Sequence, residues 1–173
     1  MKKILVAVAG AWLAGCGGGD ALKTVDATAE FKPLIEKLNA AWESMDTGKV
    51  APFFAKDADF AFYDIAPLKY KGWQEYEEGF KKVAADWKRI KLSVRPDLRV
   101  SKSGNIAWAS YTVGFEIEPK KGDMMKGEGR STEILEKRGN AWLIVHEHVS
   151  VPMAEPKPAP KPAAKAAKKR RRR

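Results

Sequence analysis

The feature that most constrains this chain is the order of its hydrophobic patterns: helical spacing is confined to the first half and strand-like runs fill the second. Beyond Trp87, residues 90–101, 106–118, 126–137 and 142–150 are long runs rich in β-branched and aromatic side chains. They are separated by Ser103-Gly104-Asn105, Lys120-Lys121-Gly122-Asp123 and Arg138-Gly139-Asn140, all turn-forming clusters, so the pattern predicts an antiparallel meander. Ahead of it, residues 25–45 place Phe31, Leu34, Ile35, Leu38, Ala41, Trp42 and Met45 on one helical stripe, with Pro33 near the start and Gly48 past the end. A short helical turn over 51–55, a strand over 58–63, a turn at Pro67 and a second helix over 73–87 complete the series. Helices first and an antiparallel meander after them predict an α+β domain with the helices against one sheet face. No internal repeat and no membrane-spanning run is visible.

The net charge of +10 over 173 residues describes the ends of the chain and not its fold. Residues 151–173 carry nine Lys or Arg against Glu155 alone, whereas residues 16–150 hold 21 basic and 21 acidic side chains. A basic nucleic-acid-binding domain is disfavoured by that balance. The single cysteine, Cys16, excludes an internal disulfide framework and a Cys-rich zinc module. A neutral domain over residues 25–152 with an attachment at each end remains.

The first attachment reads as an export signal over residues 1–15: Lys2 and Lys3 precede the apolar run 4–13, which is too short to span a bilayer. Its ending, Leu13-Ala14-Gly15-Cys16, resembles the lipobox of bacterial lipoproteins, in which the cysteine is acylated and becomes the first residue. The alternative is an unprocessed helix or a simple signal peptide. The resemblance implies that Cys16 is a lipid anchor, not a nucleophile, and that residues 16–24 are a Gly-rich tether on a periplasm-facing envelope protein. Several acyl chains hold a protein on a membrane where a single chain would not. Gly17, where an Asp is absent, resembles an outer-membrane sorting pattern; the sequence leaves inner and outer membrane undecided.

The second attachment, residues 153–173, has no large apolar side chain beyond Met153, and its closely spaced prolines favour extended polyproline II. It reads as a disordered Pro/Ala/Lys/Arg tail. One reading makes it a solvating terminus. The sharper one gives Lys157, Lys161, Lys165, Lys168, Lys169, Arg170, Arg171, Arg172 and Arg173 an electrostatic contact with anionic envelope lipid or polymer, nucleic acid ranking behind.

The last hairpin carries a specific resemblance. From Gly129 through Trp142 to the ending Val145-His146-Glu147-His148-Val149-Ser150-Val151-Pro152, it resembles the close of SnoaL-like proteins and of the calcium/calmodulin-dependent kinase association domain, both in the nuclear transport factor 2-like superfamily. Ala41-Trp42, Tyr70-Lys71-Gly72-Trp73 and Gly104-Asn105-Ile106-Ala107-Trp108 support it. The resemblance implies a strongly bent antiparallel sheet with N-terminal helices on one face, enclosing a conical pocket, commonly in a homodimer. Isomerases, dehydratases, cyclases and noncatalytic domains share this fold, so it does not decide activity.

In the kinase-association relatives the resemblance puts anion-binding arginines at the positions of Ser110, Glu133 and Val149, and none is arginine here. The expected ligand is therefore neutral, polyol-like or cationic instead of a carboxylate. Arg130 has the opposite strand parity from Glu133 and is a poor substitute. Which side chains accompany Glu133 depends on the hairpin. A two-residue Gly139-Asn140 loop sets Glu133 opposite His146, while a third loop residue sets it with Val145, Glu147 and Val149. The second register agrees with the pocket positions that the resemblance implies and is preferred. Glu133 and Glu147 then share an apolar cone lined by Trp108, Ser110, Val145 and Val149, where desolvation and repulsion raise at least one carboxyl pKa. The alternative is a solvated or lysine-paired position for one or both. Tyr63, with Asp64 at the pocket entrance, is the hydroxyl donor nearest to a ketosteroid-isomerase-like pairing with Glu133.

His146 and His148 share one strand face but have no third ligand, so a structural role is preferred to a metal site, and no cofactor is expected. Trp42, Trp73, Trp87 and Trp142 read as core, while Trp108 and Tyr63 read as candidate ligand contacts. Three functions follow: an envelope binding module for a small, partly apolar ligand or a partner domain; a cofactor-free acid/base enzyme using Glu133, Glu147, Tyr63 and Ser110; or a noncatalytic dimeric scaffold. With no nucleophile motif, phosphate loop or metal set, binding and scaffolding rank ahead of catalysis.

Overall fold

The computed structural model describes residues 23–153. The expected signal peptide, Cys16, most of the expected tether and the basic residues from Lys157 to Arg173 lie outside the described residues. In chain order the elements are β1 (Val25–Asp26), α1 (Thr28–Glu43), α2 (Thr47–Val50), a 3-10 turn (Ala51–Phe53), β2 (Ala61–Tyr63), β3 (Tyr70–Lys71), α3 (Gly72–Ala84), β4 (Trp87–Val94), β5 (Arg99–Ser103), β6 (Ile106–Pro119), β7 (Met125–Arg138) and β8 (Ala141–Ser150).

Helix α1 buries Phe31, Ile35, Leu38, Ala41 and Trp42, the stripe that its spacing predicts. It begins at Thr28, not at residue 25, because Val25 and Asp26 pair with β5. Asp26 Oδ1 accepts a bond from the Thr28 amide at 2.8 Å, and Thr28 Oγ1 accepts one from the Val100 amide at 2.9 Å, which ties the helix start to the sheet. Helix α3 buries Trp73, Tyr76 and Phe80 on one face. It stops short of residue 87 because Trp87 already belongs to β4.

The sheet has eight strands in the order β1-β5-β6-β7-β8-β2-β3, with β4 also paired to β6. It is curved and not closed. Two expectations are corrected. The run 90–101 is not one strand: β4 lies along residues 113–119 of β6 and β5 along residues 106–110, with Arg95 to Leu98 looping out between them. Pro96 has no N–H to give, and Asp97 replaces the missing ladder by accepting from the Thr112 amide at 3.0 Å and from Thr112 Oγ1 at 2.6 Å. The sheet is also not wholly antiparallel, because β2 runs parallel to β8, with Phe62 beside Glu147. These two strands are joined by no hairpin, so nothing requires them to oppose each other.

The helices cover one face, where Phe31, Ile35, Leu38 and Phe54 meet Phe62, Val100, Ala107, Ala109, Leu135 and Ile144. Trp42 sits in an aromatic cluster, its ring centroid 4.5 Å from that of Phe80 and 5.4 Å from that of Tyr76. Farther along the same sheet face the layers part and leave a cavity.

Candidate functional site

The register of β7 and β8 decides what faces that cavity. The loop is the two-residue Gly139-Asn140, with Arg138 opposite Ala141 and Gly139 at the positive φ of 60° that tight hairpins use. By loop length alone this is the register that sets Glu133 opposite His146. The ladder instead shifts between Ile134 and Leu135: Leu135 faces Ile144, Ile134 faces His146, and Glu133 faces Glu147. Val145 is the extra residue of a β-bulge. Glu133 and Glu147 are thus directly opposed, as the preferred register has it, through a bulge in β8 and not through a third loop residue.

Both carboxylates are withdrawn from solvent, Glu133 at 1% and Glu147 at 3% relative exposure. They line a cavity of about 240 Å³ whose remaining wall is mostly apolar: Leu38 and Trp42 from α1, Phe80 and Val83 from α3, Ile90 and Leu92 from β4, Val113, Phe115 and Ile117 from β6, and Val149 from β8. Each carboxylate accepts a tyrosine hydroxyl. Tyr111 donates to Glu133 Oε1 at 2.6 Å and Tyr76 donates to Glu147 Oε1 at 2.5 Å. Asn39 Nδ2 donates to Ile35 O at 2.9 Å and to Tyr111 Oη at 3.3 Å, and Ser131 Oγ lies 3.5 Å from Glu133 Oε1. Glu133 Oε2 is buried and receives no hydrogen bond. A third acid, Asp64, lines the cavity from the loop after β2 and accepts the Ile65 amide at 2.7 Å.

Burial governs the titration of these groups, since removal from water penalises the charged form. It pushes Glu133 up to about 7, against the opposing pull of the Tyr111 and Ser131 hydrogen bonds. Glu147 is raised well above the ordinary carboxylate range, first by burial and then by repulsion from Glu133. Asp64 is raised by burial, partly opposed by the Ile65 amide. The hydroxyls of Tyr76 and Tyr111 are driven upward by burial and by their carboxylate partners, so they act as donors.

Other expected contacts fall on the opposite sheet face. Directly opposed residues of an antiparallel ladder share a side. Ala109 pairs with Glu133, so Trp108 and Ser110 point outward, Trp108 at 39% exposure. Val145 also lies away from the cavity lining. Phe62, not Tyr63, shares the inner side with Glu147. Tyr63 instead lies edge-on to His146 and His148, at centroid distances of 5.5 and 5.7 Å. His146 Nδ1 lies 2.8 Å from the Ala61 carbonyl, a cross-strand bond, and His148 is exposed. Among the described residues no cluster of three His, Cys, Asp or Glu is arranged to hold a metal. Trp42 and Trp87 are more than core, since both line the cavity. Tyr111 and Tyr76 were not among the expected site residues. The first shares strand parity with Val113 and Ala109, and the second falls on the apolar stripe of α3.

A family model for the SnoaL-like domain matches residues 32–154. No curated protein matches. Among solved structures, an NTF2-like superfamily protein from Salmonella enterica serovar Typhimurium LT2 is 19% identical with a TM-score of 0.68, over 78% of this chain and 96% of that one. An NTF2-like protein from Pseudomonas putida KT2440 is 23% identical with a TM-score of 0.63, over 74% and 88%. The association domain of C. elegans CaMKII is 16% identical with a TM-score of 0.57, over 71% and 94%. At these identities the likeness is one of fold.

Proposed function

We propose that this chain, which belongs to the SnoaL-like domain family, is a binding protein whose cavity takes a small, mainly apolar molecule that brings a hydrogen-bond donor to Glu133. The observation that carries this is an otherwise apolar cavity whose lining includes Glu133 and Glu147, with Glu133 Oε2 buried and unpartnered. A buried acceptor left unsatisfied costs about 1–3 kcal/mol, and a ligand donor recovers that cost. The lining mixes many apolar surfaces with a few convergent polar atoms, the usual make-up of a small-molecule site.

A second reading, acid/base catalysis, is favoured by one observation: Glu133 is held near neutrality, where a general acid or base works best. It ranks behind binding because the hydroxyls of Tyr76 and Tyr111 are directed at the carboxylates, not at a position where an oxyanion would form.

The cellular setting belongs to the same proposal and rests on sequence. Cys16 carries the acyl anchor, the domain faces the periplasm as a homodimer, and the basic tail from Lys157 to Arg173 contacts anionic envelope lipid or polymer. Cys16→Ala should move the protein out of the membrane fraction.

The binding function is tested by native mass spectrometry of the full chain, extracted gently from envelope, beside Glu133→Gln. A discrete retained mass in the wild type that is lost in the variant is the expected outcome. An empty wild-type protein that also gives no ligand-observed NMR signal with small apolar alcohols and amines overturns it. Turnover of a released ligand that disappears in Glu133→Gln would establish catalysis instead.

A further inference from the structure

We infer that the ligand class is a small lipophilic amine, held as its ammonium ion with an N–H donated to the Glu133 carboxyl group. The inference rests on the binding function above and specifies what it binds. Three observations converge on it.

The first is charge. The ionisable lining residues of the cavity other than its tyrosines are Asp64, Glu133 and Glu147, and no Lys, Arg or His of the described residues lines it. A bound anion would meet an acidic lining with no compensating cation, whereas an ammonium ion supplies the positive charge that favours ionisation in the opposed acid pair. The second is hydrogen-bonding sense. Around the carboxyl groups, the donors of Asn39, Ser131, Tyr76 and Tyr111 are directed at protein acceptors, and the fully buried side-chain atom left without a hydrogen bond, Glu133 Oε2, is an acceptor. A ligand carbonyl or carboxylate finds no free hydroxyl there, and a ligand N–H finds carboxyl oxygens. The third is the wall. Trp42, Phe80 and Trp87 present aromatic rings to the same space, a surface that accommodates an organic cation as well as its hydrocarbon part.

Protonation then becomes part of recognition. The titratable groups facing Glu133 are Glu147 from β8, Asp64 from the loop after β2, Tyr111 from β6 and Tyr76 from α3, with no basic group among the cavity-lining residues. Above the Glu133 transition the ammonium ion enters against a carboxylate and no proton leaves. Below it, binding must release the Glu133 proton to solvent, so affinity falls by about tenfold for each pH unit.

The test is isothermal titration of the full-length chain with 2-phenylethylamine, its alcohol counterpart 2-phenylethanol and the carboxylate 3-phenylpropanoate at pH 8, and of the amine again at pH 6. The amine should bind at least about tenfold more tightly than the alcohol, the difference expected of a charged over a neutral hydrogen bond, and the carboxylate should give no binding heat. Amine affinity should drop at pH 6. In Glu133→Gln the preference for the amine over the alcohol should vanish. Alcohol binding equal to or tighter than amine binding would overturn the amine assignment and leave the binding function standing. Failure of all three compounds to bind would overturn both. A pH-independent amine affinity in the wild type would remove Glu133 from recognition without recourse to any variant.

Discussion

The two faces of the same three strands, β6 to β8, make opposite use of neighbouring residues. On the inner face Tyr111, Glu133 and Glu147 are buried and bonded to one another or to a helix. One residue away on the outer face, Ser110, Thr132 and His148 are exposed. A polar residue on the outer face is hydrated whichever way it turns, whereas on the inner face each must find a partner or bear the cost of having none. The contrast shows that residue type alone does not mark the site. Histidine, the residue best known for titrating near neutrality, lies outside, and glutamate is brought into that range by burial within.

The largest test of this contrast compares two adjacent residues of β2. Phe62→Ala should cost about 3–5 kcal/mol in urea unfolding because Phe62 is fully buried. Tyr63→Ala, on the outer side, should cost clearly less, and equal losses would mean that the faces do not differ in packing.

Next comes pH. Folding lifts Glu133 from an ordinary 4.5 to about 7, so between those values the native state keeps a proton that the unfolded chain has released. Stability from this group is therefore full below pH 4.5, falls by about 3 kcal/mol in total as pH rises to about 7, and is level above that. Glu147 adds loss in the same direction. Unfolding free energies measured from pH 4.5 to pH 8 should show the decline, and Glu133→Gln should shrink it; an unchanged slope would place the titrating group elsewhere.

A smaller effect is expected of Tyr111→Phe, about 1.5–3 kcal/mol for a lost bond to a carboxylate. Because that bond pulls the Glu133 pKa down, its removal should also move the pH-stability midpoint upward. The smallest effects belong to the outer face. Ser110→Ala should stay within about 0.5 kcal/mol of wild type and leave ligand binding unchanged.

Much of the fold was legible because its signals are local. The helical stripe through Phe31, Ile35, Leu38 and Trp42 and the turn clusters after residues 103, 120 and 138 need no tertiary information. The break between β4 and β5 was legible too, in Arg95-Pro96-Asp97, but the β-branched residues on either side masked it. The site was harder. Val145 sits in the run Leu143-Ile144-Val145 with no glycine or proline to announce a bulge, and a single extra residue reverses the side of everything after it. The opposition of Glu133 and Glu147 was therefore available only as one of two registers. Trp108, Ser110 and Tyr63 were assigned by resemblance and aromaticity, and the alternation along β6 and the pairing of β2 with β8 turn them away. Tyr76 could not be joined to Glu147 from sequence, since the contact spans 71 positions and depends on how α3 lies over the sheet.

The interrupted strand formed by β4 and β5 also bears on how this molecule behaves among its own copies. An open sheet offers its border as a template on which a foreign strand can grow. Here β5 is covered by β1, and the free side of β4 carries Lys88, Arg89 and Lys91. The Leu92 amide is already occupied by Glu43 Oε1 at 2.6 Å. At the far border β3 is only two residues long. Borders that are short or charged in this way disfavour one molecule's strands recruiting another's along β4, β5 and β3.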